Sequence, residues 1–249
     1  MFFFPHLINT NGIQDLSLSH YQPMNLAIFG PGGHGQPNAP RTSNYRGDPT
    51  NMRNQSQWWL TDEQNCSFWL ENLLPTVTCG MLLGSIRNIG RVYACHINND
   101  GKHQFAAAKL TFFTAEEAQR FYRFAAIEGR LVVGGLPPRV LRHRNKVGTQ
   151  YGLRDHTRVL TISGPSEIVN VPFLTAYFHG KFIYQTDEII DHGNNGTMAV
   201  LEWRFSSWRS QARDAMLIMK SDPVFQHESF RVIYDRDPCD FQQGGVGEQ

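Results

Sequence analysis

Two periods alternate along the apolar positions of this chain. Phe68-Trp69-Leu70-Glu71-Asn72-Leu73-Leu74-Pro75 reads as a short strand entering a turn, with Phe68, Leu70 and Leu73 toward a core and Trp69 on the opposite face. Over Thr76 to Ile89 the spacing of Val77, Met81, Leu82, Ile86 and Ile89 becomes helical, and Arg91 to Ile97 is again strand-like. Asn98-Asn99-Asp100-Gly101 has the chemistry of a tight turn and separates that strand from a third apolar run, Phe105 to Phe113. Thr114-Ala115-Glu116-Glu117 has the form of a capping box and opens a second amphipathic helix through Ala118, Phe121, Tyr122 and Ala125. Pro138 to Arg144 supplies a fourth strand. The predicted order is β-α-β-β-α-β.

The pattern then repeats. Arg158 to Pro165 reads as a strand, Val171 to Phe178 as an apolar helix and Phe182 to Ile190 as a second strand. His192-Gly193-Asn194-Asn195-Gly196 restates the hairpin turn, and Thr197 to Phe205 restates the long third strand. Ser210 to Met219 forms a helix with Ala212, Ala215, Met216 and Met219 on one side, and Phe230 to Tyr234 closes the unit. The expected architecture is α+β: two tandem ferredoxin-like sandwiches, each a four-stranded antiparallel sheet with two helices on one face. The predicted division is a disordered tail over 1–55, a first domain over 56–148, a second over 156–238 and a flexible C-terminus over 239–249.

Phe68 to Pro75 resembles the first-strand signature of the RNA recognition motif (RRM) family, with Trp69 in the aromatic slot. The family's third-strand signature alternates buried small, aliphatic and aromatic positions with exposed aromatics. Phe105-Ala106-Ala107-Ala108-Lys109-Leu110-Thr111-Phe112 matches it at the buried Ala108, Leu110 and Phe112, while Ala107 and Lys109 stand where stacking aromatics are expected. The second unit departs further: Thr161 occupies the place of Trp69, and Val200 and Glu202 replace the third-strand aromatics. The resemblance implies an RRM fold twice over, with an altered reading face in the first copy and a face better suited to structure or a protein partner in the second.

A net charge of +1 offers no global attraction to a polyanion, but its distribution is uneven. Residues 56–150 hold 11 Lys and Arg against 7 Asp and Glu, whereas 151–240 hold 9 against 12. The basic residues of the first half cluster after its fourth strand, at Arg139, Arg142, His143, Arg144 and Lys146, and continue through Arg154, His156 and Arg158. An arginine and lysine run beside a sheet that presents Trp69 and Lys109, extended by Phe105, is the chemistry of single-stranded RNA binding: stacking on the aromatic, cations on the phosphates. Trp69, Phe105, Lys109, Arg139, Arg142, His143, Arg144 and Lys146 are therefore the candidate RNA-binding residues. Two structural alternatives stand beside this reading: Trp69 is covered by the N-terminal tail or the second unit, and the arginine run is an ordinary charged linker.

Other classes find less support. The four cysteines, Cys66, Cys79, Cys95 and Cys239, show no C-x-x-C spacing, and the ten histidines no metal-ligand spacing, so no metal, disulfide framework or cofactor is expected. There is no G-x-S-x-G elbow, no H-E-x-x-H and no small-molecule signature, and an enzyme is not expected. Met1 to Ile8 lacks the basic start and apolar run of a signal peptide, so the expected location is nucleus or cytoplasm, away from membranes. Gly30-Pro31-Gly32-Gly33-His34-Gly35 lacks the Lys-Ser/Thr ending of a phosphate loop and reads as linker. Trp58 and Trp59, at the end of the tail, are expected to pack on the first domain, and Trp203 and Trp208 to pack in the core of the second.

Overall fold

A computed structural model describes residues 56–99, 101 and 103–242. The expected disordered tail and the Gly30–Gly35 run lie outside the described residues. The elements follow in the order β1 (Ser67–Leu73), α1 (Cys79–Gly84), β2 (Val92–Asn98), β3 (Ala106–Phe112), α2 (Ala115–Tyr122) and β4 (Arg139–Arg142). The second set is β5 (Val159–Pro165), α3 (Val171–His179), β6 (Thr186–Asn194), β7 (Met198–Phe205), α4 (Arg213–Ser221) and β8 (Arg231–Tyr234). The sheets have the orders β2-β3-β1-β4 and β6-β7-β5-β8, and every pairing is antiparallel. This is the β-α-β-β-α-β sandwich of the RRM fold, present twice.

Each sheet buries one face under its helices. In the first, Phe68 and Leu70 of β1 and Ala108, Leu110 and Phe112 of β3 pack with Leu82, Leu83, Ala118 and Phe121. Leu73 joins this core although strict alternation puts it on the face of Trp69. The β1–β3 register shifts between Leu70 and Leu73, and Asn72 takes φ of 64° there, so one bulge turns Leu73 inward. The capping box forms as expected: Thr114 Oγ1 accepts from Glu117 N, and the Glu117 carboxylate accepts from Thr114 N at 2.8 Å. The first helix is shorter than its apolar spacing implies, covering Cys79–Gly84 with Thr78 as N-cap; Thr76, Val77 and Ile86 to Ile89 lie outside it, because Pro75 delays its start and a turn with Asn88 at positive φ ends it. In the second half, Trp203 and Trp208 are buried, as expected.

The two sandwiches are joined by a buried junction that their strand patterns do not announce. After β8 the chain crosses to the first half, where Asn88 N donates to Pro238 O, Ile89 N to Cys239 O at 2.8 Å and Val92 N to the Asp237 carboxylate at 2.9 Å. Cys239 is fully buried in the first core, and burial pushes its thiol up to about 12. The expected flexible C-terminus is thereby corrected over residues 239–242: its first residues complete the first domain. Arg158, expected as part of an exposed basic run, is also buried, bridging Asp187 at 2.8 Å and Asp237 at 2.9 Å. Against the desolvation that burial imposes, those carboxylates, with Cys239 between their contributions, hold its guanidinium charged and raise its pKa. Arg87 of the first half reaches the same Asp187 at 2.9 Å.

Apolar contacts extend this junction. Trp208 packs on Tyr93 and Phe113 at centroid separations of 5.5 and 5.8 Å, closing one end of the first sheet. Ser207 Oγ accepts from Cys95 N at 2.9 Å and donates to Cys95 O at 3.0 Å, occupying the free edge of β2 that would otherwise invite another strand. The connection between the halves is structural as well: Cys66 N donates to Val147 O, Gln150 N to Phe113 O, and Arg91 Nη1 to the carbonyls of Leu153, Arg154 and His156. Trp58 and Trp59, by contrast, stay 78% and 63% exposed where packing was expected.

Candidate nucleic-acid interface

The face of the first sheet opposite the helices is set by register. Lys109 stands directly across from Trp69 on one side and from His96 on the other, and Trp69 stands across from Leu141 of β4. One strand position further, Glu71 faces Arg139. His143, just past β4, brings its ring to 5.7 Å from that of Trp69 at a 43° tilt. Trp69 is half-buried among these neighbours, and Phe105, at the entry to β3, is exposed.

The charges on this face are tuned by their surroundings. Burial, with Arg209 of the second half adding its positive charge, brings Lys109 down to about 8. His143 is held below its ordinary value, first by burial and then by the charges of Lys109 and Arg144, while its bond to Asn145 O acts in the other direction. Near neutral pH the face therefore offers a largely charged ammonium and an uncharged imidazole beside an indole. Arg139 is exposed and pairs at 3.4 Å with Glu71, itself partly exposed, an arrangement of small net worth that a phosphate can displace.

Two of the residues singled out in the sequence do not join this face. Arg142 pairs with Phe68, so it projects to the helix side, where its guanidinium lies 4.8 Å from the Phe68 ring and 4.4 Å from that of Tyr122. It also donates to Gln119 Oε1 and Asn65 O. Alternation explains the placement: on β4 the arginines at 139 and 142 differ by three positions and must point to opposite faces. Lys146 is committed elsewhere, donating to Leu60 O at 2.7 Å and pairing with Asp62 at 2.8 Å, which lowers the Asp62 carboxyl. Arg144 is exposed at the margin. Trp69, Lys109, Arg139 and His143 thus share one face, while Phe105 is exposed just before β3 and Arg144 just after β4. Leu141 and His96 are readable from strand phase once β4 and β2 are registered; Arg209 carries no such signal, because it arrives from the other half of the chain.

The charged groups on the corresponding face of the second sheet are engaged with one another. Glu202, opposite Thr161, accepts from Arg204 Nε and meets His192 Nε2 at 3.0 Å, while Arg204 also pairs with Glu188. Thr161 Oγ1 donates to Asp235, and Ile233 remains 57% exposed.

Fold and face together define a tandem pair of β-α-β-β-α-β sandwiches, the first with a polar-aromatic sheet surface. No family model and no curated protein sequence matches the chain. Solved structures similar to it include RNA recognition domains 1 and 2 of Sex-lethal from Drosophila melanogaster, 15% identical over 69% of this chain and 100% of that one, with a TM-score of 0.26. The first two RRM domains of the yeast poly(U)-binding protein are 13% identical over 68% of this chain and 99% of theirs, with a TM-score of 0.28. RRM domains 1 and 2 of Prp24 from S. cerevisiae are 10% identical over 69% and 96%, with a TM-score of 0.29.

Proposed function

We propose that the chain is an RNA-binding protein of the nucleus or cytoplasm that takes single-stranded RNA on the first sheet. One observation supports this above the others: a half-buried indole, an imidazole 5.7 Å from it and a lysine directly across the strand pairing occupy the sheet face opposite the helices. A base stacks on Trp69 with the His143 ring beside it, Lys109 meets a phosphate, and Arg139 exchanges Glu71 for another. Stacking is tolerant of base identity, and the face presents few fixed hydrogen-bonding groups, so sequence preference is weak.

The second sheet supports a different role. Glu188 and Glu202 share Arg204, which leaves an acidic balance, and Ile233 stands exposed on the strand across Thr161, a surface for a protein partner rather than for phosphate. A chain acting only as a protein-interaction module is the competing reading. A salt titration with a mixed pool of short single-stranded RNA separates the two. RNA binding by the first sheet gives an affinity that falls linearly on a log-log plot against salt, and Trp69→Ala weakens it roughly tenfold. Absence of binding at low salt would sink the RNA reading.

A further inference from the structure

The cysteines lie far apart in sequence, yet the fold brings two of them together at the seam between the sandwiches. Cys79 opens α1, Cys95 lies on β2, α1 packs against β2, and the two thiols hydrogen-bond to each other. Both are free and buried, but they stand differently toward solvent. Cys79 lines a cleft of about 450 Å³ between Val77 and Ile97 of the first half and Gln185 and Thr186 of the second, and its Sγ donates to Gln185 Oε1 at 3.1 Å. Cys95 is set behind it in the first core, where Ser206 Oγ and Ser207 Oγ donate to its carbonyl at 3.4 and 3.0 Å.

The contact also sorts the thiols by reactivity. The hydrogen bond from the Cys95 thiol holds Cys79 below the ordinary thiol value against the effect of burial, and the same bond, with burial, raises Cys95. Cys66 and Cys239 do not line the cleft, and burial pushes both up to about 12. A thiol bordering a cleft that admits small oxidants, with a second thiol touching it from behind, is an arrangement of attacking and resolving cysteines. We propose that Cys79 and Cys95 form a peroxide-oxidisable pair that closes a disulfide between α1 and β2. The Cys79 thiolate attacks hydrogen peroxide: an S–O bond forms, the O–O bond breaks, and the departing hydroxide takes up the thiol proton as water. Cys95 then attacks the Cys79 sulfenic acid: the S–S bond forms, the S–O bond breaks, and a second hydroxide leaves as water with the Cys95 proton. The two thiols lose two electrons, and one peroxide becomes two waters.

Peroxide titration of the full, folded chain tests this. Reduced wild type is treated with hydrogen peroxide, alkylated and mapped by mass spectrometry without reduction, beside a sample treated after unfolding in urea. The folded product is expected to be lighter by two hydrogens, to carry a cross-link between Cys79 and Cys95, and to return to its starting mass with dithiothreitol, while Cys66 and Cys239 stay available to the alkylating reagent once the chain is unfolded. Cys95→Ser is expected to stop at a Cys79 sulfenic acid that dimedone captures, and Cys79→Ser to give neither product at the same peroxide concentration. A folded wild type that keeps its thiols free under conditions that oxidise the unfolded chain overturns the proposal. First reaction at Cys66 or Cys239, or a cross-link that includes either, overturns it as well. Should a serine variant fail to fold, the wild-type map decides alone.

Discussion

Lys109 carries two opposed pH dependences. Its folded-state value, brought down to about 8 by burial, lies below the roughly 10.4 of an unperturbed lysine. Between those values the native state binds fewer protons than the unfolded one, so the contribution of Lys109 to stability rises with pH over that window, and its penalty is present in full below about 8. The proposed RNA affinity is expected to run the other way, because only the protonated amine attracts phosphate: it falls as pH rises through about 8. Anisotropy titrations and urea midpoints at pH 7 and pH 9 are expected to show both trends, and Lys109→Met to flatten them. Arg142 supplies the contrast. Stacked on Phe68 and Tyr122 behind the sheet, it stabilises the first core, so Arg142→Ala costs about 1–2 kcal/mol in urea unfolding and leaves the salt slope of RNA binding unchanged. A reduced slope with unchanged stability would return Arg142 to the interface.

At the scale of elements, strand alternation made most of the sheet legible: Phe68, Leu70, Ala108, Leu110 and Phe112 face the core, and Trp69 and Lys109 face away. The places where it fails are backbone events. Leu73 faces the core because Asn72 adopts positive φ, a conformation that asparagine tolerates and that period-two counting ignores. Asn72→Ala is expected to cost on the order of 1 kcal/mol, and Asn72→Gly much less, as read from urea midpoints. Equal costs for the two would place the effect in the side chain instead of the backbone. The basic run after β4 divides between faces for a related reason. Composition counts charges without faces, and only the β1–β4 register shows that Arg139 and Arg142 part company there. Lys146 was indistinguishable from a phosphate ligand because its partner carbonyl, Leu60, lies 86 residues away in sequence.

For the whole molecule, the decisive group is Arg158, whose partners Asp187 and Asp237 lie on the second sandwich and its C-terminal extension while Arg87 joins from the first. Long-range ion pairs leave no periodic trace, which is why the halves read as separate beads on a polar linker. The junction makes their stabilities common property. Removing one carboxylate leaves a buried guanidinium undercompensated, so Asp237→Ala is expected to cost about 3–5 kcal/mol, a large part of the stability of a protein this size. Asp237 also accepts from Val92 N at 2.9 Å, on the first sheet, so the loss is felt by both sandwiches. Wild type should therefore unfold in one calorimetric transition, whereas Asp237→Ala should lower its midpoint and broaden it toward two. Adding Arg158→Met to Asp237→Ala removes the stranded charge and is expected to recover part of the loss. Two separate transitions already in wild type would show that the junction does not couple the halves.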